Sequence, residues 1–142
     1  PRVELYDRLI EDDEAIDLFR NCALLVLPYH DATQSALVGA AYAFGKPVIV
    51  TRTGALPEYV DEGETGWVVP PGDAQALADC LSQALSDPER LIRMGQNGQA
   101  WYNRHRNAEW EALQRLYLKL AGATYGEESS APDEVRGQQE AV

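Results

Sequence analysis

Apolar residues recur along this chain at two periods, and each change of period marks a new element. Val3-Glu4-Leu5-Tyr6 alternates apolar and polar as a short strand does. After the acidic run Asp12-Asp13-Glu14, which suits the positive end of a helix, Ala15, Leu18, Phe19 and Cys22 fall at helical spacing. Ala23-Leu24-Leu25-Val26-Leu27 is a continuous apolar run closed by Pro28, the pattern of a strand covered on both faces in a parallel sheet. The loop Tyr29 to Gln34 leads into a helix of small residues from about Ser35 to Phe44, stopped by Gly45-Lys46-Pro47.

Val48-Ile49-Val50-Thr51 is a second β-branched run and reads as a strand. Gly54 marks the turn after it, Leu56 to Val60 fits a single helical turn, and Trp67-Val68-Val69 makes another short strand between the Gly63 to Gly66 turn and Pro70-Pro71-Gly72. Asp73 suits the N-cap of a helix whose stripe is Leu77, Ala78, Leu81, Ala84 and Leu85. Asp87-Pro88 starts a further helix with Leu91, Met94, Trp101 and Tyr102, and a last helix after Asn107 presents Trp110, Leu113, Tyr117 and Leu120.

Strands alternating with covering helices predict an α/β fold: a Rossmann-like, doubly wound parallel sheet with extra C-terminal helices. From Gly122 to Val142 the pattern stops. That stretch is rich in Gly, Ser, Glu and Gln, has almost no large apolar residues to offset its ordering entropy, and reads as a disordered acidic tail. The foldable part, residues 1–121, is one domain by length, with 45% of the 142 residues hydrophobic. Pro1-Arg2-Val3 runs straight into strand-like sequence without a charged-then-apolar leader, as a piece of a longer chain would.

Charge narrows the partners. A formal net charge of -11 repels nucleic acid and anionic membrane surfaces at long range, while leaving room for a small anion held by local amides or cations. No apolar run approaches the ~20 residues that span a bilayer. Cys22 and Cys80 sit among apolar residues of helices and read as small buried hydrophobes in a reducing cytoplasm, with no metal-ligand spacing around them.

In a doubly wound sheet a ligand binds outside the carboxyl ends of the strands. Two loops qualify, Pro28 to Ser35 and Thr51 to Glu58. Thr33-Gln34-Ser35 stands before a small-residue helix whose first amides suit a phosphate, although Ser35 or Thr33 equally fits a plain N-cap. Gly54 equally fits a turn glycine, and Glu58 an acid at a helix start. Lys46, His30, Arg52 and the Arg104-His105-Arg106 cluster fit loop or solvated positions as well as ligand contacts. By local chemistry alone, this is an anion-binding α/β domain.

The blocks together say more. Leu24-Leu25-Val26-Leu27-Pro28-Tyr29, Ala32-Thr33-Gln34-Ser35, Ala41 to Thr51, Gly54-Ala55-Leu56-Pro57-Glu58 and Gly63 to Asp73 resemble the family 4, or group 1, glycosyltransferases of the GT-B fold, over about Val3 to Leu120. The closing helix with Trp110 and Tyr117 also looks like that family's last helix. The resemblance implies that residues 1–121 are a partial nucleotide-sugar-binding domain, the C-terminal half of a GT-B enzyme. It implies a glycan or lipid-linked acceptor, bound mainly by an N-terminal domain absent from this sequence.

Transfer would proceed with retention of configuration and with no cofactor or metal, so helix amides and cations would stabilise the departing diphosphate. On that likeness Ala32, Thr33, Gln34, Ser35 and Ala36 lie against the donor's sugar and diphosphate, and Gly54 and Glu58 form another wall. The compartment implied is the cytoplasm, with any membrane attachment made by the N-terminal domain, and the isolated piece would be inactive. The sequence departs from the pattern at two places where the family usually carries glutamates, which align with Ala32 and Ala40, and Ala55 replaces a second glycine. The basic residues that grip the diphosphate in the family would fall before Pro1. The missing carboxylates also fit a different class of function, a non-catalytic GT-B-like interaction domain, and the fold also serves epimerases and phosphorylase-like enzymes.

Overall fold

A computed structural model describes residues 3–120, and within them the apolar runs become a three-stranded sheet. Strands β1 (Leu25–Leu27), β2 (Val48–Thr51) and β3 (Gly66–Val69) lie in the order β1-β2-β3, every pair parallel. Leu25 faces Val48 in one ladder and Ile49 faces Trp67 in the other. β2, the most β-branched run, is the central strand and is buried along its whole length, as an uninterrupted apolar sequence requires. Helix α1 (Asp12–Asn21) precedes β1, α2 (Ala36–Ala43) crosses from β1 to β2, a 3₁₀ turn (Leu56–Tyr59) joins β2 to β3, and α3 (Ala74–Leu85) and α4 (Pro88–Leu120) follow.

The strand expected at Val3 to Tyr6 does not form. The segment is irregular, and Val3 and Leu5 are each 88% exposed. Alternation alone cannot make a strand: without a neighbour to pair its amides and an apolar layer beneath it, the segment gains nothing that offsets its ordering.

Helices cover both faces, and the pleat sorts side chains between them. Leu27, Val48, Val50 and Val68 point to one face and meet Val38, Ala41 and Tyr42 of α2, together with Leu56 and Val60. Ile49, Trp67 and Val69 point to the other and meet Cys80 and Ala84 of α3 and Leu91 and Met94 of α4. Each fully buried Val, Leu, Ile or Met among them contributes about 1.5–3 kcal/mol. The first half of α4 can lie this close only because of two glycines: a Cβ on Gly95 would stand 1.9 Å from the Gly45 carbonyl oxygen, and one on Gly98 would stand 2.4 Å from the Tyr42 ring.

Two helices were expected where α4 runs unbroken for 33 residues. Asn107 resembles a start signal, yet nothing between Asn103 and Glu109 breaks a helix, since neither proline nor glycine occurs there. An N-cap residue inside a sequence that is helical on both sides simply faces solvent. Contacts nevertheless divide the chain into two compact units, one ending at His105 and one beginning at Arg106. Within the second unit Trp110, Leu113, Leu116 and Tyr117 are exposed. The domain boundary at 121 and the acidic tail expected from 122 to 142 lie outside the described residues.

Candidate functional site

The carboxyl ends of the strands carry two loops that are locked to each other through their backbones. The Thr51 hydroxyl, at the end of β2, donates to the Tyr29 carbonyl at 2.6 Å. The Ala55 amide donates to the Thr33 carbonyl at 2.9 Å. Gly54 has φ 50°, and a Cβ there would lie 1.8 Å from the Ala32 carbonyl oxygen and 2.7 Å from that of Thr33, so only glycine allows the loops to meet. A third loop joins them. The Arg52 amide donates to the Val69 carbonyl at 2.8 Å, and the His30 ring lies 3.7 Å from the Cβ position of Gly72. Sequence reasoning left His30 open and did not assign Pro70-Pro71-Gly72 to the site, although the strand-end rule that selected the other loops applies equally after β3.

Of the residues singled out in these loops, Ala32 is half-buried with its carbonyl beneath Gly54. Thr33, Gln34 and Ala36 are exposed at the entry to α2, and Gly54 and Glu58 are exposed on the facing loop. Ser35 is the N-cap of α2, its hydroxyl accepting from the Leu37 amide at a rather long 3.3 Å. The start of the helix is thus capped from one side and open to solvent at Gln34 and Ala36. The first amides of any helix have no intrahelical acceptor and carry partial positive charge, so this end can receive an anion. Ala40 lies one turn further along α2, half-buried, so neither it nor Ala32 brings a carboxylate to the loops.

Other candidates turn out to hold the fold. The Lys46 ammonium donates to the Arg20 carbonyl at the end of α1. His105 stacks on Trp101 with ring centroids 3.7 Å apart, and its Nδ1 lies 2.9 Å from the Trp101 carbonyl. Both cysteines are free, and burial pushes both thiols up from their ordinary range. Tyr42, wholly buried, donates to the Tyr59 carbonyl at 2.9 Å and is hydrogen-bonded to the Thr65 hydroxyl at 2.8 Å. Its phenol is pushed up to about 12, chiefly by burial. Among the described residues no group of three His, Cys, Asp or Glu side chains could hold a metal ion, and no helix is long and apolar enough to cross a membrane.

The profile of the family described as Glycosyl transferases group 1 matches residues 1–87. A D-inositol 3-phosphate glycosyltransferase of Corynebacterium efficiens is 35% identical over 115 residues, covering 78% of this chain and 26% of that protein. Among solved structures, sucrose-phosphate synthase from Thermosynechococcus elongatus superposes with a TM-score of 0.69 at 34% identity, covering 80% of this chain and 29% of that one. Anabaena HepE, solved in complex with UDP-glucose, superposes with a TM-score of 0.58 at 25% identity, covering 61% of this chain and 24% of that one. The chain therefore spans about a quarter of the length of the first curated relatives it matches. With its parallel sheet, its locked strand-end loops and a family profile matched from residue 1 to residue 87, this chain belongs to the glycosyl transferases group 1 family, with the α/β architecture of the GT-B fold.

Proposed function

We propose that this chain is the donor-holding part of a longer glycosyltransferase that moves a sugar from a nucleotide-sugar to a glycan or lipid-linked acceptor. The observation that carries the reading is the loop pair: Gly54 and Ala32 fix the two backbones together while the first residues of α2 stay open. The UDP-glucose of the HepE complex supports a nucleotide-sugar as the ligand class.

In this reading the amides at the start of α2 meet the diphosphate, and their positive end stabilises the charge that develops as the sugar leaves. Gln34 and the Thr33 hydroxyl bond the sugar's hydroxyls, and Gly54 holds the facing loop against the Ala32 and Thr33 carbonyls. Glu58 stands on the opposite wall. Configuration is retained, and no metal takes part. Hydrogen bonds to an ionised group are about twice as strong as neutral ones, so with alanine at positions 32 and 40 the grip on sugar and ribose hydroxyls rests on neutral groups and is correspondingly weaker. The acceptor and the diphosphate-gripping cations belong to other parts of the parent protein.

Calorimetric titration of the parent protein with UDP, GDP, ADP and their sugars tests this. Binding of one nucleotide-sugar, weakened in Gln34→Ala, is expected. No binding of any of them would contradict the reading and favour an interaction domain that has lost the donor, which the alanines at 32 and 40 would then explain.

A further inference from the structure

At the other end of the sheet, where the chain enters β3, lies a second feature that the donor reading does not use. The turn before β3 is closed by the Gly63 amide donating to the Gly66 carbonyl at 2.8 Å, and the first turns of α4 run beside it. Between them is a groove of about 580 Å³ lined by Gly63, Glu64, Arg90, Arg93, Gln96 and Asn97, with Met94 at its base.

Arg90 is held in this groove without being neutralised. The Asp87 carboxylate accepts the Arg90 amide at 2.9 Å and fixes the start of the helix. Arg90 is half-buried; its guanidinium lies over the Trp67 ring at 5.5 Å, with one nitrogen 3.9 Å from the Cβ position of Gly63. Among the described residues its guanidinium has no hydrogen-bond acceptor and no carboxylate within ion-pair distance. Arg93, one turn along, is 60% exposed and only loosely engaged, 4.0 Å from Asp87 and 3.8 Å from Glu89. Asn97 donates to the Glu64 carbonyl at 3.1 Å and to its carboxylate at 3.3 Å, which fixes an amide and a carboxylate along the same wall.

We propose that this groove binds the phosphate monoester of a small polyol, such as a sugar phosphate. A guanidinium presents its N–H groups in a planar fork that matches phosphate oxygens, and an unpaired one already stacked on a ring gives up little freedom on binding. Glu64, Gln96 and Asn97 supply acceptors and donors for hydroxyls. A nucleotide is disfavoured, because the Trp67 face that a base would stack on is occupied by Arg90. The net charge of -11 and the nearby carboxylates, Glu64 on the wall and Asp87 and Glu89 beside Arg93, weaken the attraction, so the grip rests chiefly on the uncommitted guanidinium of Arg90. The groove and the donor loops stand at opposite ends of β3, about 13 Å apart along a four-residue strand, so the site is separate from the donor's.

The test is a nitrogen-proton NMR titration of the 142-residue chain with glucose 6-phosphate, inorganic phosphate and glucose. Glucose 6-phosphate is expected to move the amide signals of Gly63 and Glu64 and the side-chain signals of Asn97 and Arg90. Inorganic phosphate is expected to bind several-fold more weakly, and glucose to move none of them. Arg93→Gln, at an exposed position that leaves the fold intact, should weaken glucose 6-phosphate about tenfold, and Arg90→Gln should abolish the shifts. If Arg90→Gln fails to fold, Arg93→Gln decides. Unmoved signals, equal binding by inorganic phosphate, or unchanged affinity in Arg93→Gln would each overturn the proposal. UDP-glucose acting on these signals and not on Gly54 would overturn it as well.

Discussion

The two ends of this parallel sheet are built on opposite plans. At the carboxyl ends, backbone is locked to backbone around Gly54, and the exposed groups at the entry to α2 are a hydroxyl, an amide and helix N–H groups. At the amino ends, the Gly63 to Gly66 turn is pinned by side chains, Tyr42 to Thr65 and Asn97 to Glu64, and two guanidiniums line the open space. A search led by charge would choose the amino ends, and one led by topology chooses the carboxyl ends. On the donor reading, position in the fold and not the density of charge selects the ligand site, and charge elsewhere then calls for its own explanation.

The largest expected effect breaks the carboxyl-end plan. Gly54→Val places a branched Cβ at φ 50° and into the Ala32 carbonyl. It should cost about 3 kcal/mol or more, through left-handed backbone strain together with overpacking. Urea unfolding measures it, and an unchanged midpoint would mean that the loops are not locked as described.

Tyr42→Phe probes the amino end next. It removes the hydrogen bonds to the Tyr59 carbonyl and the Thr65 hydroxyl, while Thr65 keeps the Asp61 amide at 3.0 Å, so a loss of about 1–3 kcal/mol is expected. Its pH dependence sharpens the point. With the folded phenol near 12 against an ordinary 10, Tyr42 contributes its full stability below pH 10 and loses it as the pH rises towards 12. The gap between wild type and Tyr42→Phe should therefore be constant below pH 10 and narrow above it. A gap that stays constant to pH 12 would contradict the burial of the phenol.

Smaller effects separate capping from binding. Ser35→Ala removes one long capping bond and should cost about 0.5–1 kcal/mol in thermal or urea unfolding. Gln34→Ala, on an exposed side chain, should change stability by less than about 0.5 kcal/mol while weakening donor binding in the parent protein. A Gln34→Ala variant that loses stability instead would show that the residue supports the loop rather than faces a ligand.

Much of this was legible in the chain because the signals are local. The β-branched run at Val48 to Thr51, the caps at Ser35 and Asp73 and the single turn at Leu56 follow from residues within a few positions of each other. The loops after β1 and β2 followed from the strand-end rule. What stayed hidden depends on distant partners. Val3 to Tyr6 has a strand's alternation but no neighbour, and α4 continues through Asn107 because a cap residue acts only where the chain before it is not helical. Gly95 and Gly98 look unfavourable in a helix until the Gly45 carbonyl and the Tyr42 ring are placed against them. The Arg90 groove joins residues from two segments, and its cations look like ordinary surface charge in the sequence.

The central claim is that the segments Ala32–Ala36 and Gly54–Glu58 together hold a nucleotide-sugar. Amide hydrogen exchange of the parent protein, read by mass spectrometry with and without saturating donor, tests it most directly. Both segments should exchange about tenfold more slowly or less when the donor is bound. Protection elsewhere in the protein with both of these segments unchanged would contradict the account.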